Sequence, residues 1–258
     1  IAVVGLIGYS NSFHSPFHFD DDKFIFKNYN IRDINNLKAI STPHKTRFVA
    51  FYTFALNYHW HRNDVFGYHV FNFIVHLITS FSVYWFIYQI ISVMQAHALP
   101  SQARSKKKKE KKQQGGVAYD NRKLLALFGA LIFVAHPVHV QAITYITQRF
   151  ASMATMFYLL TICQYVAARR INGFSLKKVV FFLGAATTMI LGMFTKEITI
   201  TMPLMVALIE FAVFRSFRLS VQELKKPKIW MSLIVGGGLL SIIPIRYAVF
   251  AQKLFADT

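Results

Sequence analysis

From Phe66 to Met94 the chain runs without a single Asp, Glu, Lys or Arg. That run exceeds the roughly 20 apolar residues that carry an α-helix across a bilayer. In hydrocarbon every backbone N–H and C=O must be satisfied within the protein, and a single apolar segment achieves this as a helix. Similar runs follow from about Leu124 to Ile146 (interrupted by Pro137), Ala151 to Ala168, Val179 to Phe194, Ile198 to Phe214 and Ile229 to Phe250. Ile1 to Ser10 reads as the outer end of one more helix whose start precedes the chain. The expected fold is therefore all-α: a polytopic transmembrane bundle of about seven helices.

Composition supports this class. Hydrophobic residues make up 54% and charged residues 16%, against about 25% charged in an ordinary globular chain. Disordered, collagenous and coiled-coil classes are excluded. So is a disulfide scaffold, because Cys163 is the one cysteine.

The formal net charge of +18 suggests nucleic acid until the charges are located. Arg104, Lys106–Lys109, Lys111, Lys112, Arg122 and Lys123 precede the Leu124 run. Arg169, Arg170, Lys177 and Lys178 form a second group, and Arg215, Arg218, Lys225, Lys226 and Lys228 a third. All three lie in alternate loops, hence on one side, and the positive-inside rule makes that side cytoplasmic. The charge is a topology signal, with anionic lipid headgroups as the expected partner and no nucleic acid. The chain then divides into a non-cytoplasmic loop over 11–65, a basic cytoplasmic loop over 97–123, and the helices.

The opposite face collects the chemically unusual residues. Asp20, Asp21 and Asp22 are three adjacent carboxylates, whose mutual repulsion favours a cationic partner or a raised pKa. His136-Pro137-Val138-His139 precedes Gln148-Arg149, and Lys196-Glu197 is an opposite-charge pair between two apolar runs. Arg246 lies near the end of the last run. Charges at membrane depth are costly and usually face a cavity. Asp20 to Asp22 can equally be a solvated cluster, the two histidines hydrogen-bonded core residues, and Lys196-Glu197 a structural pair. His69, Asn72 and His76 recur three and four apart, forming one polar stripe that should face the bundle. The aromatic segment from Arg47 to Trp60 suits a helix lying in the membrane interface.

Metal signatures are weak. His136-x-x-His139 lacks the zincin pattern, and His59-x-His61 has no evident third ligand. Gly236-Gly237-Gly238 sits inside an apolar run and suits close helix packing.

Four ordered segments resemble a known family. Phe17-His-Phe-Asp20-Asp21-Asp22 through Asn28 is similar to the first outer-loop motif of GT-C type membrane glycosyltransferases. Within these it resembles the transmembrane and tetratricopeptide-repeat O-mannosyltransferases and their bacterial relatives. Phe66-Gly-Tyr-His69 through His76 resembles the second-helix signature. His136 to Arg149 resembles the most diagnostic segment, and Thr195 to Pro203 followed by Glu210 the next. The tetratricopeptide repeats and later helices of that family are absent, and Gln141 stands where acidic residues are frequent in relatives.

The resemblance implies transfer of a sugar, such as mannose, from a polyprenyl-phosphate carrier to a hydroxyl of a secreted or membrane protein. It implies Asp20 or Asp21 as the base that takes the hydroxyl proton. Arg149 and Lys196 are the expected phosphate ligands, with His136, His139 and Glu197 contacting phosphate or sugar. His69, Asn72, His76, Gln148 and Arg246 are expected in support. Magnesium or manganese suits the carboxylates without being demanded. The Tyr-Ile-Thr-Gln-Arg wording suggests a bacterial inner membrane with a periplasmic active face. The rival readings are a non-catalytic scaffold subunit of a larger complex and a lipid or solute transporter.

Overall fold

The computed structural model describes residues 1–42, 45–98 and 121–214, and these are all-α. Short α1 (Ala2–Tyr9) leads into a loop holding α2 (Leu37–Ser41) and α3 (Phe48–His61). Long α4 (Val65–Ala98) follows, then α5 (Asn121–Ala135), α6 (Val140–Thr144), α7 (Arg149–Arg170), α8 (Leu176–Met193) and α9 (Met202–Ile209).

Four segments are long and apolar enough to cross a membrane: Val65–Ala96, Ile146–Arg170, Leu176–Met193 and Glu197–Phe214. A fifth is obtained if Asn121–Ala135 and Pro137–Thr144, bent by 49°, count as one. These four or five are counted among the described residues alone, and they account for that part of the roughly seven helices expected. The α1 helix spans eight residues, and the Ile229–Phe250 run and Arg246 lie outside the described residues. So do all the basic residues between 99 and 120 and those from Arg215 to Lys228.

The bend falls at Pro137, the interruption expected in the third span. Proline lacks an N–H and disfavours helical geometry in the residue before it. His136 accordingly leaves the helix at ψ 126°, and its Nδ1 accepts the Val138 N–H at 3.2 Å. The chain resumes in a 3-10 turn and the short α6, turned aside from α5.

The α7–α8 connection follows from local sequence. Arg169 and Arg170 close α7, where cations complement the helix dipole. Gly173 supplies a φ of +71°, and the Ser175 side chain caps α8 by accepting the Lys178 N–H. The two helices then run close. A Cβ built on Gly184 would lie 2.0 Å from Gln164 Oε1.

Polar side chains tie α4 to its neighbours. Gln89 Nε2 donates to the Cys163 carbonyl at 3.0 Å, and His76 Nε2 donates to the Val134 carbonyl at 3.2 Å. Many large apolar residues point outward, among them Ile7, Phe128, Leu183 and Leu204, as lipid-facing surfaces require.

The outer loop is folded onto the bundle. Ile25, Ile31 and Ile40 are fully buried in one cluster with Phe51, Phe54, Tyr68 and Phe150. Helix α3 forms where expected, and one side of it packs against the start of α7. Its Phe51 and Phe54 rings sit 5.2 and 5.4 Å from Phe150, while Trp60 remains exposed. Phe150 and Met153 at the start of α7 present an apolar surface, and covering it removes ring area from water.

Candidate active site

The loop after α1 and the segment between α6 and α7 meet at three adjacent side chains with three different fates. The Asp21 carboxylate is buried. One oxygen accepts the Thr147 N–H at 2.7 Å and the Thr147 hydroxyl, and the other accepts the His18 N–H at 3.0 Å. Such a carboxylate is fixed in place by three donors at once. Asp22 pairs with Lys27 at the surface. Asp20 is exposed, and its backbone N–H donates to the Tyr145 hydroxyl at 3.2 Å.

Tyr145 opens the site. With Ser15, His18, Phe19, Gln141 and Thr144 it lines an open cleft of about 420 Å³ beside Asp20. Burial pushes its phenol above the ordinary value; the Asp20 backbone N–H opposes this, and the Asp20 carboxylate adds to it. Tyr145 therefore keeps its proton at neutral pH as a hydrogen-bond donor.

Arg149, expected to hold phosphate, is fully buried. Its Nε donates to Asn72 Oδ1 at 2.7 Å, Nη1 to Asn57 Oδ1 at 2.6 Å, and Nη2 to the Tyr68 carbonyl at 3.0 Å. Rings of Phe71 and Phe54 cover the guanidinium at 4.3 and 4.5 Å. All three nitrogens are occupied by protein oxygens, so in this arrangement no face of the fork is open to a phosphate. The charge is satisfied by neutral oxygens and ring faces. The geometry gives it a structural place in tying α3, α4 and α7 together.

The α4 stripe is buried as its spacing requires. His69 Nε2 donates to the Ser15 carbonyl at 2.9 Å, and Asn72 Nδ2 to the Ile146 carbonyl at 3.2 Å. Both carbonyls belong to segments that shape the cleft. His139 packs on Phe133 with ring centres 4.3 Å apart and lies 5.3 Å from His76. His136 is exposed at the bend, and Gln148 is half-buried at the start of α7.

Lys196 and Glu197 do not pair with each other. Glu197 instead accepts from Arg47 Nε and Nη2, each at 3.0 Å, and from the Thr46 hydroxyl at 2.8 Å. Lys196 is half-buried and makes no ion pair among the described residues. Arg47 also covers the Phe150 ring at 5.4 Å. Glu210, at the end of the fourth matching segment, is held by Arg169 at 2.7 Å and by the Tyr165 hydroxyl at 2.8 Å.

In sequence, the chain is similar to a protein O-mannosyl-transferase of Caenorhabditis elegans. The two chains are 27% identical over 182 residues, which is 66% of this chain and 23% of the relative. This chain thus spans about a quarter of that relative's length. The distant similarity suggests a glycosyltransferase. No protein-family model and no solved structure matches the chain.

The carboxylates do not fit a divalent cation. Magnesium and manganese prefer several oxygen ligands, but Asp21 is consumed by Thr147 and His18, and Asp22 faces Lys27. Among the described residues no group of three His, Cys, Asp or Glu is placed to hold a metal.

Charge-led reading passed over Tyr145, Thr147, Phe19 and Arg47. Tyr145 and Thr147 lie inside the segment with the strongest family resemblance, but neutral side chains drew no attention there. Arg47 was absorbed into the aromatic helix it precedes.

Proposed function

We propose that this protein is a glycosyltransferase that moves a sugar, mannose first among candidates, from a polyprenyl-phosphate donor to a hydroxyl of a secreted or membrane protein. The reaction takes place at the non-cytoplasmic face. The observation that carries this reading is the division of labour in the aspartate run. Asp21 is locked by Thr147, and that lock leaves Asp20 exposed beside an open, mixed polar and aromatic cleft. The distant similarity to an O-mannosyl-transferase supports the same chemistry.

The acceptor oxygen attacks the anomeric carbon as its proton passes to the Asp20 carboxylate. The bond from that carbon to the phosphate oxygen breaks on the opposite side, inverting the anomeric centre. The departing phosphate is an anion and needs fixed positive charge rather than an acid. Lys196 is the half-buried cation suited to that task. Exposed His136, through Nε2, and His139 beside it supply hydrogen bonds to donor oxygens. Glu197 acts through Arg47, holding the outer loop against the start of α9, and Arg149 orders the site from below. The carrier tail lies among the apolar outward faces of the bundle. No step passes through a metal ion.

Membrane lipids bind the basic loops. The wording of the segment from Tyr145 to Arg149 supports a bacterial inner membrane, with the cleft toward the periplasm.

The test uses membranes carrying the full-length protein and a panel of radiolabelled polyprenyl-phosphate sugars. Label is expected to reach secreted or membrane proteins, and Asp20→Asn is expected to abolish it. Absence of transfer from every donor by the folded wild type would overturn the reading.

A further inference from the structure

Phe19 combines two costly features. It is a bulky residue in the left-handed region, at φ +47°, where side chains other than glycine rarely reside. Its side chain is also among the most exposed large apolar groups, at 90%. Glycine at this position would remove both costs.

The surrounding contacts explain how the conformation is held. The Asp21 N–H donates to the His18 carbonyl at 2.9 Å while the His18 N–H donates to the Asp21 carboxylate. The Asp22 N–H reaches the Phe19 carbonyl at 3.3 Å, and Tyr145 holds the Asp20 N–H. A reciprocal clasp thus forces the turn, and the turn projects the Phe19 ring and the Asp20 carboxylate together at the cleft. The ring meets Tyr145 edge-on, with centres 6.1 Å apart at 71°.

We propose that Phe19 is a sugar-binding residue, its exposed ring stacking on the C–H face of the transferred pyranose. The inference rests on the glycosyltransferase reading and identifies the wall against which the donor sugar is seated. An aromatic face matches the apolar face of a sugar ring, while hydroxyl, amide and imidazole groups match its edges. Ser15, His18, Gln141, Thr144 and Tyr145 supply those groups around the same cleft. A lipid acyl chain would leave those hydroxyl, amide and imidazole groups without partners. Seating the pyranose on Phe19 brings its anomeric carbon beside Asp20, one residue along the chain. Local strain held by its surroundings at a site of this kind is a mark of function.

The experiment measures binding and turnover separately on the full-length protein in nanodiscs. Saturation-transfer NMR with methyl glycosides of mannose, glucose and N-acetylglucosamine reads the sugar contact without requiring transfer. Radiolabel transfer reads KM and kcat for the polyprenyl-phosphate donor. Phe19→Gly is expected to abolish the NMR contact and to raise the donor KM about five- to tenfold, the worth of one aromatic contact. It should leave the melting temperature unchanged or higher, because the backbone strain is relieved. Phe19→Trp is expected to keep the contact and a KM within about twofold of wild type.

An unchanged contact and KM in Phe19→Gly would overturn the proposal while leaving the transferase reading intact. A Phe19-dependent sugar contact with no transfer from any donor would support the proposal and sink the transferase reading. A wild type that binds none of the three glycosides would overturn the proposal.

Discussion

Asp21 and Thr147 lie 126 residues apart in sequence, yet the Asp21 carboxylate takes both the backbone N–H and the hydroxyl of Thr147. This contact fastens the outer loop to the segment entering α7. It also decides which aspartate is left for chemistry. The two neighbouring carboxylates should therefore behave as different kinds of residue.

Asp21→Asn places an amide where three donors converge, so one N–H must face another. The expected loss is about 1–3 kcal/mol, the cost of an unsatisfied buried group. A lower melting temperature in detergent, with transfer falling in parallel, is the checking measurement. Thr147→Val should lose about 1 kcal/mol, since the backbone N–H still reaches the carboxylate.

Asp20→Asn should leave the melting temperature within experimental scatter, because the side chain is exposed and its backbone bond to Tyr145 survives. Transfer should drop about 10²- to 10⁴-fold in kcat, the usual contribution of a positioned base. A stable Asp20→Asn enzyme with normal kcat would remove Asp20 from the mechanism.

Arg149→Lys keeps the charge but not the fork that reaches Asn72, Asn57 and the Tyr68 carbonyl at once. A loss of about 3–5 kcal/mol is expected, as for a broken buried charge network, visible as poor yield and early unfolding in detergent. A phosphate ligand would behave otherwise. Arg149→Lys would then fold normally and show only a raised donor KM.

Glu197→Gln breaks the paired contacts with Arg47. Glu197 is half-exposed, so the stability loss should stay below about 1 kcal/mol. Reversing the pair as Arg47→Glu with Glu197→Arg should recover part of it. A double-mutant cycle on melting temperature and donor KM measures the coupling.

How much of this was legible beforehand varies by element. The apolar runs at 66–94, 151–168, 179–194 and 198–214 each became a membrane-length helix, because in lipid length and hydropathy almost decide the matter. The buried α4 stripe of His69, Asn72 and His76 followed equally directly from helical spacing. Pro137 was readable as an interruption, but the 49° turn depends on where α6 finds packing.

The outer loop was the least legible part. Its aromatic helix was expected at headgroup level, yet Phe51 and Phe54 belong to the core around Phe150. Periodicity gives a helix its apolar face without saying whether lipid, water or another helix will cover it.

The candidate site divides along the same line. Sequence alone led to the expectation that the acidic run, the His-Pro-Val-His turn and the Lys-Glu junction share one side of the membrane, because loop charge biases topology. It also carried the family resemblance, since that resides in the order of short local segments. Only tertiary structure separated Asp20 from Asp21, withdrew Arg149 into a cage of amides and rings, and matched Glu197 to Arg47. Those outcomes depend on which donors arrive from residues far away in the chain. Three adjacent carboxylates are chemically alike until Thr147, Lys27 and Tyr145 reach them.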